Sequence, residues 1–126
     1  MRIRLAAVVL LCACSSPGSR DARIEAARDR VRALDAGHAA QIAAFCSSWH
    51  RDGALSVDEL PAALPVPPTS ARAHDGAIDF AWWNNSHYEE DRPHPGFELI
   101  CSARPVPGAT PIAPTLWYRD APMAAE

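Results

Sequence analysis

The spacing of the apolar residues changes near residue 50, and that change limits what this chain can fold into. Up to that point Ile24, Ala27, Val31, Leu34, His38, Ile42, Phe45 and Trp49 recur at three- and four-residue steps, which draws one apolar stripe along a helix. Beyond it the pattern is alternation. Ile78, Phe80 and Trp82 fall on one face of an extended segment, with Asp79 and Trp83 on the other; Phe97, Leu99 and Cys101 repeat the pattern. A helical half followed by a stranded half predicts an α+β domain. The expected architecture is one long N-terminal helix packed on a small three-stranded antiparallel sheet, with strands over 77–83, 97–101 and 114–119.

Local signals mark the boundaries. Ala, Arg and Glu dominate residues 20–49, and Glu25 with Arg28 and Asp29 with Arg32 form opposite-charge pairs on the wet face. Gly37 costs ~1 kcal/mol against Ala, so a break or kink would fall at Gly37-His38. Asp52-Gly53 reads as a turn. Ser56 and Glu59 have capping-box spacing, which opens a short helix from Val57 to Ala63. Pro65-Val66-Pro67-Pro68 stops it. Residues 61–75 are otherwise loop-like, as is the Pro-rich stretch 105–114, and 84–96 is a polar connection between strands.

The N-terminus carries a second kind of signal. Arg2 and Arg4 precede an apolar run from Leu5 to Leu11, and Ala13 is a small residue before Cys14. The run is far shorter than the ~20 apolar residues of a spanning helix. Leu11-Cys12-Ala13-Cys14 resembles the lipobox of a bacterial lipoprotein precursor. The resemblance implies a signal peptide at 1–13, cleavage before Cys14 and a diacylglycerol on the Cys14 sulfur. Residues 14–20 are small and polar, with Pro and Gly, and read as a short tether behind the lipidated cysteine; the length left after cleavage suits one globular domain, at 21–126. Ser15, rather than Asp, after the lipidated cysteine implies the outer membrane, facing the periplasm. Losing Arg2 and Arg4 leaves ten basic against fifteen acidic residues, a net charge of −5, which argues against nucleic-acid binding. With Cys12 removed and Cys14 acylated, Cys46 and Cys101 remain. In an oxidising compartment they form a disulfide worth about 3–4 kcal/mol in the chain-entropy model.

Three constellations are candidates for chemistry. Residues 48–59 resemble the end of an EF-hand calcium loop, with Asp52, Gly53, Ser56 and Glu59 in place, but Ser48 and His50 stand where the first and third ligands belong. His87, Tyr88, Glu89, Glu90, Asp91 and His94 form a charged cluster. His87 and His94 suit a divalent metal; Tyr88, Glu89 and Glu90 suit contact with a partner. Trp83 and Trp117 are outward-facing strand aromatics. They either form a binding surface beside Ile100 or lie under the 103–113 or 61–75 segments. No cofactor is implied. His38 reads as a packing residue. His74, Asp75 and Asp79 could be drawn as an acid–base group, but no nucleophile elbow, phosphate-cradling loop or His-Glu-x-x-His is present, and no enzyme activity is expected. The expected function is a non-catalytic binding or accessory module for another envelope protein. The alternatives are a metal-binding periplasmic protein using the His87–His94 loop and an immunity- or inhibitor-type lipoprotein.

The lipobox reading has a direct check. Cells grown with labelled palmitate should label this protein, and Cys14→Ala should abolish the label. Undiminished labelling of the variant would place the acyl chain elsewhere.

Overall fold

A computed structural model describes residues 17–84 and 95–121. Two helices, α1 (Pro17–Arg32) and α2 (Ala36–Ser47), are followed by β1 (Gly53–Ala54) and a single 3-10 turn over Val57–Glu59. Five further strands complete the fold: β2 (Ser70–His74), β3 (Ala77–Trp83), β4 (Gly96–Cys101), β5 (Thr110–Ala113) and β6 (Leu116–Asp120). They make one six-stranded antiparallel sheet in the order β1-β2-β3-β4-β6-β5. This corrects the expected architecture: two short helices replace the single long one, and six strands replace three. No helix among the described residues is long and apolar enough to cross a membrane.

The helix breaks at Asp35 rather than at Gly37. Asp35 has extended backbone (φ −80°, ψ 167°), and its carboxylate accepts the His38 backbone N–H at 2.8 Å. That is an N-cap, which satisfies a donor that the first turn of α2 would otherwise leave unbonded. Gly37 lies inside that first turn. The apolar stripe survives the break, because Ala27 and Val31 on α1 and Ala39 and Ile42 on α2 are all buried. His38 is not part of it. Its side chain is 54% exposed and pairs with Asp35 at 2.8 Å. Helix α1 begins at Pro17, within the segment expected to be tether.

Strand β3 spans the expected residues, with Ile78, Phe80 and Trp82 buried. Strand β4 buries Phe97, Leu99 and Cys101 on the same side, and register pairs Trp82 with Phe97 and Phe80 with Leu99. Trp82 stacks on Phe97 at 4.7 Å between centroids, and Phe97 stacks on Tyr118 of β6 at 5.8 Å. Such pairs add to the area they bury. Helix α1 lies against β3 and β4, and α2 against β5 and β6. The segment after the 3-10 turn covers the rest of this inner face: Ala63 is buried, and the Val66 carbonyl accepts the Trp82 indole N–H at 3.3 Å.

Sequence periodicity gives no strand signal for β1, β2 or β5, which the sheet nonetheless contains. The inward residues of β2 are Ala71 and Ala73, so its alternation carries little apolar contrast. Its turn into β3 has a readable signal. Asp75 (φ 51°) and Gly76 (φ 81°) both take positive φ, as a two-residue type I′ hairpin requires. Strand β5 contains Pro111, which an edge strand tolerates. The helix expected from Val57 to Ala63 is one 3-10 turn that ends before Pro61. Glu59 nonetheless reaches back to the Ser56 backbone N–H at 2.7 Å.

Chain order and sheet order part company after β4. Strand β5 is antiparallel to β6, and β6 is antiparallel to β4, so β5 runs parallel to β4 with β6 between them. Residues 102–109 must therefore cross the sheet. A disulfide joins Cys46, at the C-terminal end of α2, to Cys101 at the end of β4, closing a sequence separation of 55.

Gly96 tests the tightness of this packing. A Cβ there would lie 2.6 Å from the Ala121 carbonyl oxygen and 3.2 Å from that of Trp82, both backbone atoms. Gly96→Ala should destabilise the domain by about 1–3 kcal/mol, read as a lowered urea midpoint. An unchanged midpoint would mean that the start of β4 yields freely.

Candidate functional site

With helices on the inner face, the outer face of the sheet is the place to look for a binding site. Register sets its rows. Asp79 of β3 pairs with Ile100 of β4, which pairs with Trp117 of β6. One row along lie Ala81, Glu98 and Arg119; one further, Trp83 pairs with Gly96. On β2, Arg72 is directly opposite Asp79 and Ser70 opposite Ala81.

The two outward tryptophans share this face but do not adjoin. Four residues along the strand and two strands across put their Cα positions about 16 Å apart on a regular sheet. The Glu98–Arg119 ion pair, at 3.0 Å, lies in the row between them. Trp117 sits next to Ile100, and Trp83 does not.

The crossover decides what becomes of Trp117. Its indole N–H donates to the Ser102 carbonyl at 3.1 Å, and Arg119 Nη1 donates to the Pro107 carbonyl at 3.1 Å. Both are outer-face side chains of β6. Residues 102–109 therefore pass over the outer side of β6, and Ile100 beneath is only 4% exposed although it points away from the core. Of the two arrangements left open by the sequence, the β6 half of the face is covered by this loop. The segment 61–68 packs on the inner face instead.

No described segment covers the β2–β3 half. Ser70, Arg72 and His74 are exposed there, and Asp79, Ala81 and Trp83 are half-buried. His74 Nε2 lies 3.2 Å from Asp79 Oδ2. Arg72 faces Asp79 in register, yet its guanidinium makes no hydrogen bond or ion pair among the described residues. Trp83 is anchored through its backbone: Thr69 Oγ1 accepts the Trp83 N–H at 3.0 Å and donates to its carbonyl at 3.2 Å. The other three tryptophans give their indole N–H to Arg51, Val66 and Ser102 carbonyls. That of Trp83 has no acceptor among the described residues.

The most connected polar group is on the other side. Arg28 of α1 is 14% exposed. It donates to Glu25, to the Tyr118 hydroxyl and Asp120 (each 3.0 Å) and to the Gly96 carbonyl (3.2 Å), with its guanidinium 5.5 Å from the Phe97 ring centre. Burial opposes its charge, but the hydrogen bonds to Glu25 and Tyr118 outweigh that and raise its pKa. Burial and donation to Asp120 at 2.6 Å push Tyr118 up to about 12. This cluster holds helix to sheet.

The other candidates are engaged or scattered. Glu59, the last ligand of the EF-hand resemblance, is held by Ser56 and by both its oxygens on Arg51 (3.0 and 3.1 Å). Those contacts, the Ser56 N–H first, lower its pKa. Asp75 lies in the hairpin turn, and the His74–Asp79 pair beside it is a solvent-facing contact rather than a buried acid–base relay. No group of three or more His, Cys, Asp or Glu side chains is placed to hold a metal ion among the described residues. His87, Tyr88, Glu89, Glu90 and His94 lie outside the described residues, as does Cys14.

Tyr118 makes the Arg28 cluster sensitive to high pH. Its folded pKa of about 12 exceeds the ordinary value of 10.0. Below pH 10 both folded and unfolded chains keep the proton. As pH rises from 10 to 12 the unfolded chain releases it first, so this stabilisation is lost over that window. Urea unfolding should show the loss, and Tyr118→Phe should show a shallower one; equal slopes would overturn the assignment. The chain matches no protein-family model, no curated protein and no solved structure.

Proposed function

We propose that this chain is a lipid-anchored envelope protein, acylated at Cys14, whose domain is a non-catalytic binding module for another envelope protein. The observation that carries the reading is the outer β2–β3 face, where Ser70, Arg72 and His74 are exposed and no described segment lies over them. It presents Arg72 on β2 with its guanidinium unpaired among the described residues, while the 102–109 crossover lies over the neighbouring half. Arginine is one of the residue types that dominate binding energy at protein interfaces. The Cys46–Cys101 disulfide supports a compartment outside the cytoplasm, where such bonds persist.

The chemistry of the face selects the partner. Asp79 is engaged by His74, so Arg72 is the group left to recruit a counter-charge. A guanidinium fork matches a carboxylate in two parallel hydrogen bonds. The partner surface is therefore acidic at its centre and flat enough to lie along two strands. Trp83 bounds this face at one end.

Cross-linking in intact cells should recover one envelope protein in near-stoichiometric amount with a C-terminally tagged chain. Arg72→Glu should lower that recovery roughly tenfold or more, with the fold intact because Arg72 is exposed. Recovery of abundant porins alone, or an undiminished yield from the variant, would sink the proposal.

A further inference from the structure

The anchor and the helix together determine which end of the domain meets the lipid. The inference rests on the acylation of Cys14 proposed above. Three Cα–Cα steps separate Cys14 from Pro17, where α1 begins, and they reach at most about 11 Å. The first turn of α1 is thus held at the headgroup layer. Asp21, about 6 Å along the helix axis, accepts a hydrogen bond from Asn84 Nδ2 at 2.7 Å. Asn84 directly follows Trp83. Seven residues beyond Asp21, Arg28 binds the Gly96 carbonyl at the start of β4 and Asp120 at the end of β6. Helix α1 therefore runs across the ends of β3, β4 and β6, and its anchored N-terminus lies at the Trp83 end of β3. The Asp75-Gly76 turn is at the other end of β3, about 20 Å away.

We infer that the domain stands on the bilayer by this end of the sheet, with the Trp83 indole set among the lipid headgroups. The side chain suits that position. It is half-exposed on the outer face, its backbone is clamped by Thr69, and its indole N–H has no acceptor among the described residues. An aromatic with an apolar ring and a free polar edge is the kind of group that collects at membrane interfaces. Attraction to anionic lipid is not what holds it, because the mature chain carries ten basic against fifteen acidic residues. One consequence is that Arg72 and Asp79, opposite each other in register, lie farther from the lipid than Trp83, and His74 farther still, on the side a second envelope protein can reach.

The acylated mature chain should be reconstituted into phosphatidylcholine vesicles, floated on a density gradient, and its tryptophan fluorescence measured with shallow-brominated lipid. Brominated lipid should quench the wild type, lose that quenching in Trp83→Phe, and keep it in Trp117→Phe, whose indole is bonded inside the fold. A protein that floats while its Trp83 emission resists brominated lipid and yields to aqueous acrylamide would overturn the orientation and leave the anchor standing. A protein that carries no acyl chain and does not float would overturn the anchor, and the orientation with it. Circular dichroism of both variants separates loss of contact from loss of fold, and Trp83→Tyr, which keeps a polar edge, provides a second substitution at the same site.

Discussion

Arg28 joins the helical and stranded halves of this chain. One guanidinium bonds to its own helix at Glu25, to β4 at Gly96, and to β6 at Tyr118 and Asp120, while lying over the Phe97 ring. Charge-assisted hydrogen bonds of this kind are roughly twice as strong as neutral ones, and a planar fork meets several acceptors with little loss of side-chain freedom. The arrangement also explains why Gly96 must be glycine. Strand β4 begins pressed between the Trp82 and Ala121 carbonyls, with its own carbonyl turned to Arg28. At the other end of the sheet the Cys46–Cys101 bond ties α2 to β4. The two helices are thus held at opposite ends of the same strand, one by electrostatics and one by a covalent bond.

Large side chains made part of this fold readable in the sequence. Phe80 and Trp82, and Phe97 and Leu99, stand at alternate positions with Asp79 and Glu98 on the opposite face, and β3 and β4 follow from that. Strand β2 was hidden because Ala71 and Ala73 fill its inward positions, and alanine gives alternation little contrast. The Asp75-Gly76 pair was the available signal for it. The helix break was hidden because Asp35 reads equally well as a wet-face acid and as a cap, and only the His38 backbone N–H distinguishes them. The disulfide was accessible through the lipobox, which removes two of the four cysteines from consideration.

The candidate site was legible in its residue types and not in its layout. Strand alternation puts Trp83 and Trp117 on one face. It says nothing about the path of residues 102–109, and that path makes Trp117 part of the fold and leaves Trp83 outside it. That Arg72 has no ion pair among the described residues was equally invisible, since Asp79, opposite it in register, contacts His74 across the hairpin. Patterns within an element can be read locally, whereas the covering of a face depends on where a distant segment returns.

That returning segment has a consequence for the order of assembly. Strand β6 is the last of the described strands yet lies inside the sheet, between β4 and β5. The Phe97–Tyr118 stack and the Arg28–Asp120 bond cannot form until residue 120 is available. The pairings of β4 and β5 with β6 must wait for that strand, and contacts as far apart in sequence as Arg28 and Asp120 form slowly. In a chain wired in this way the junction of α1 with the sheet at Arg28 stays incomplete until β6 is in place, whatever β1 to β4 have already paired.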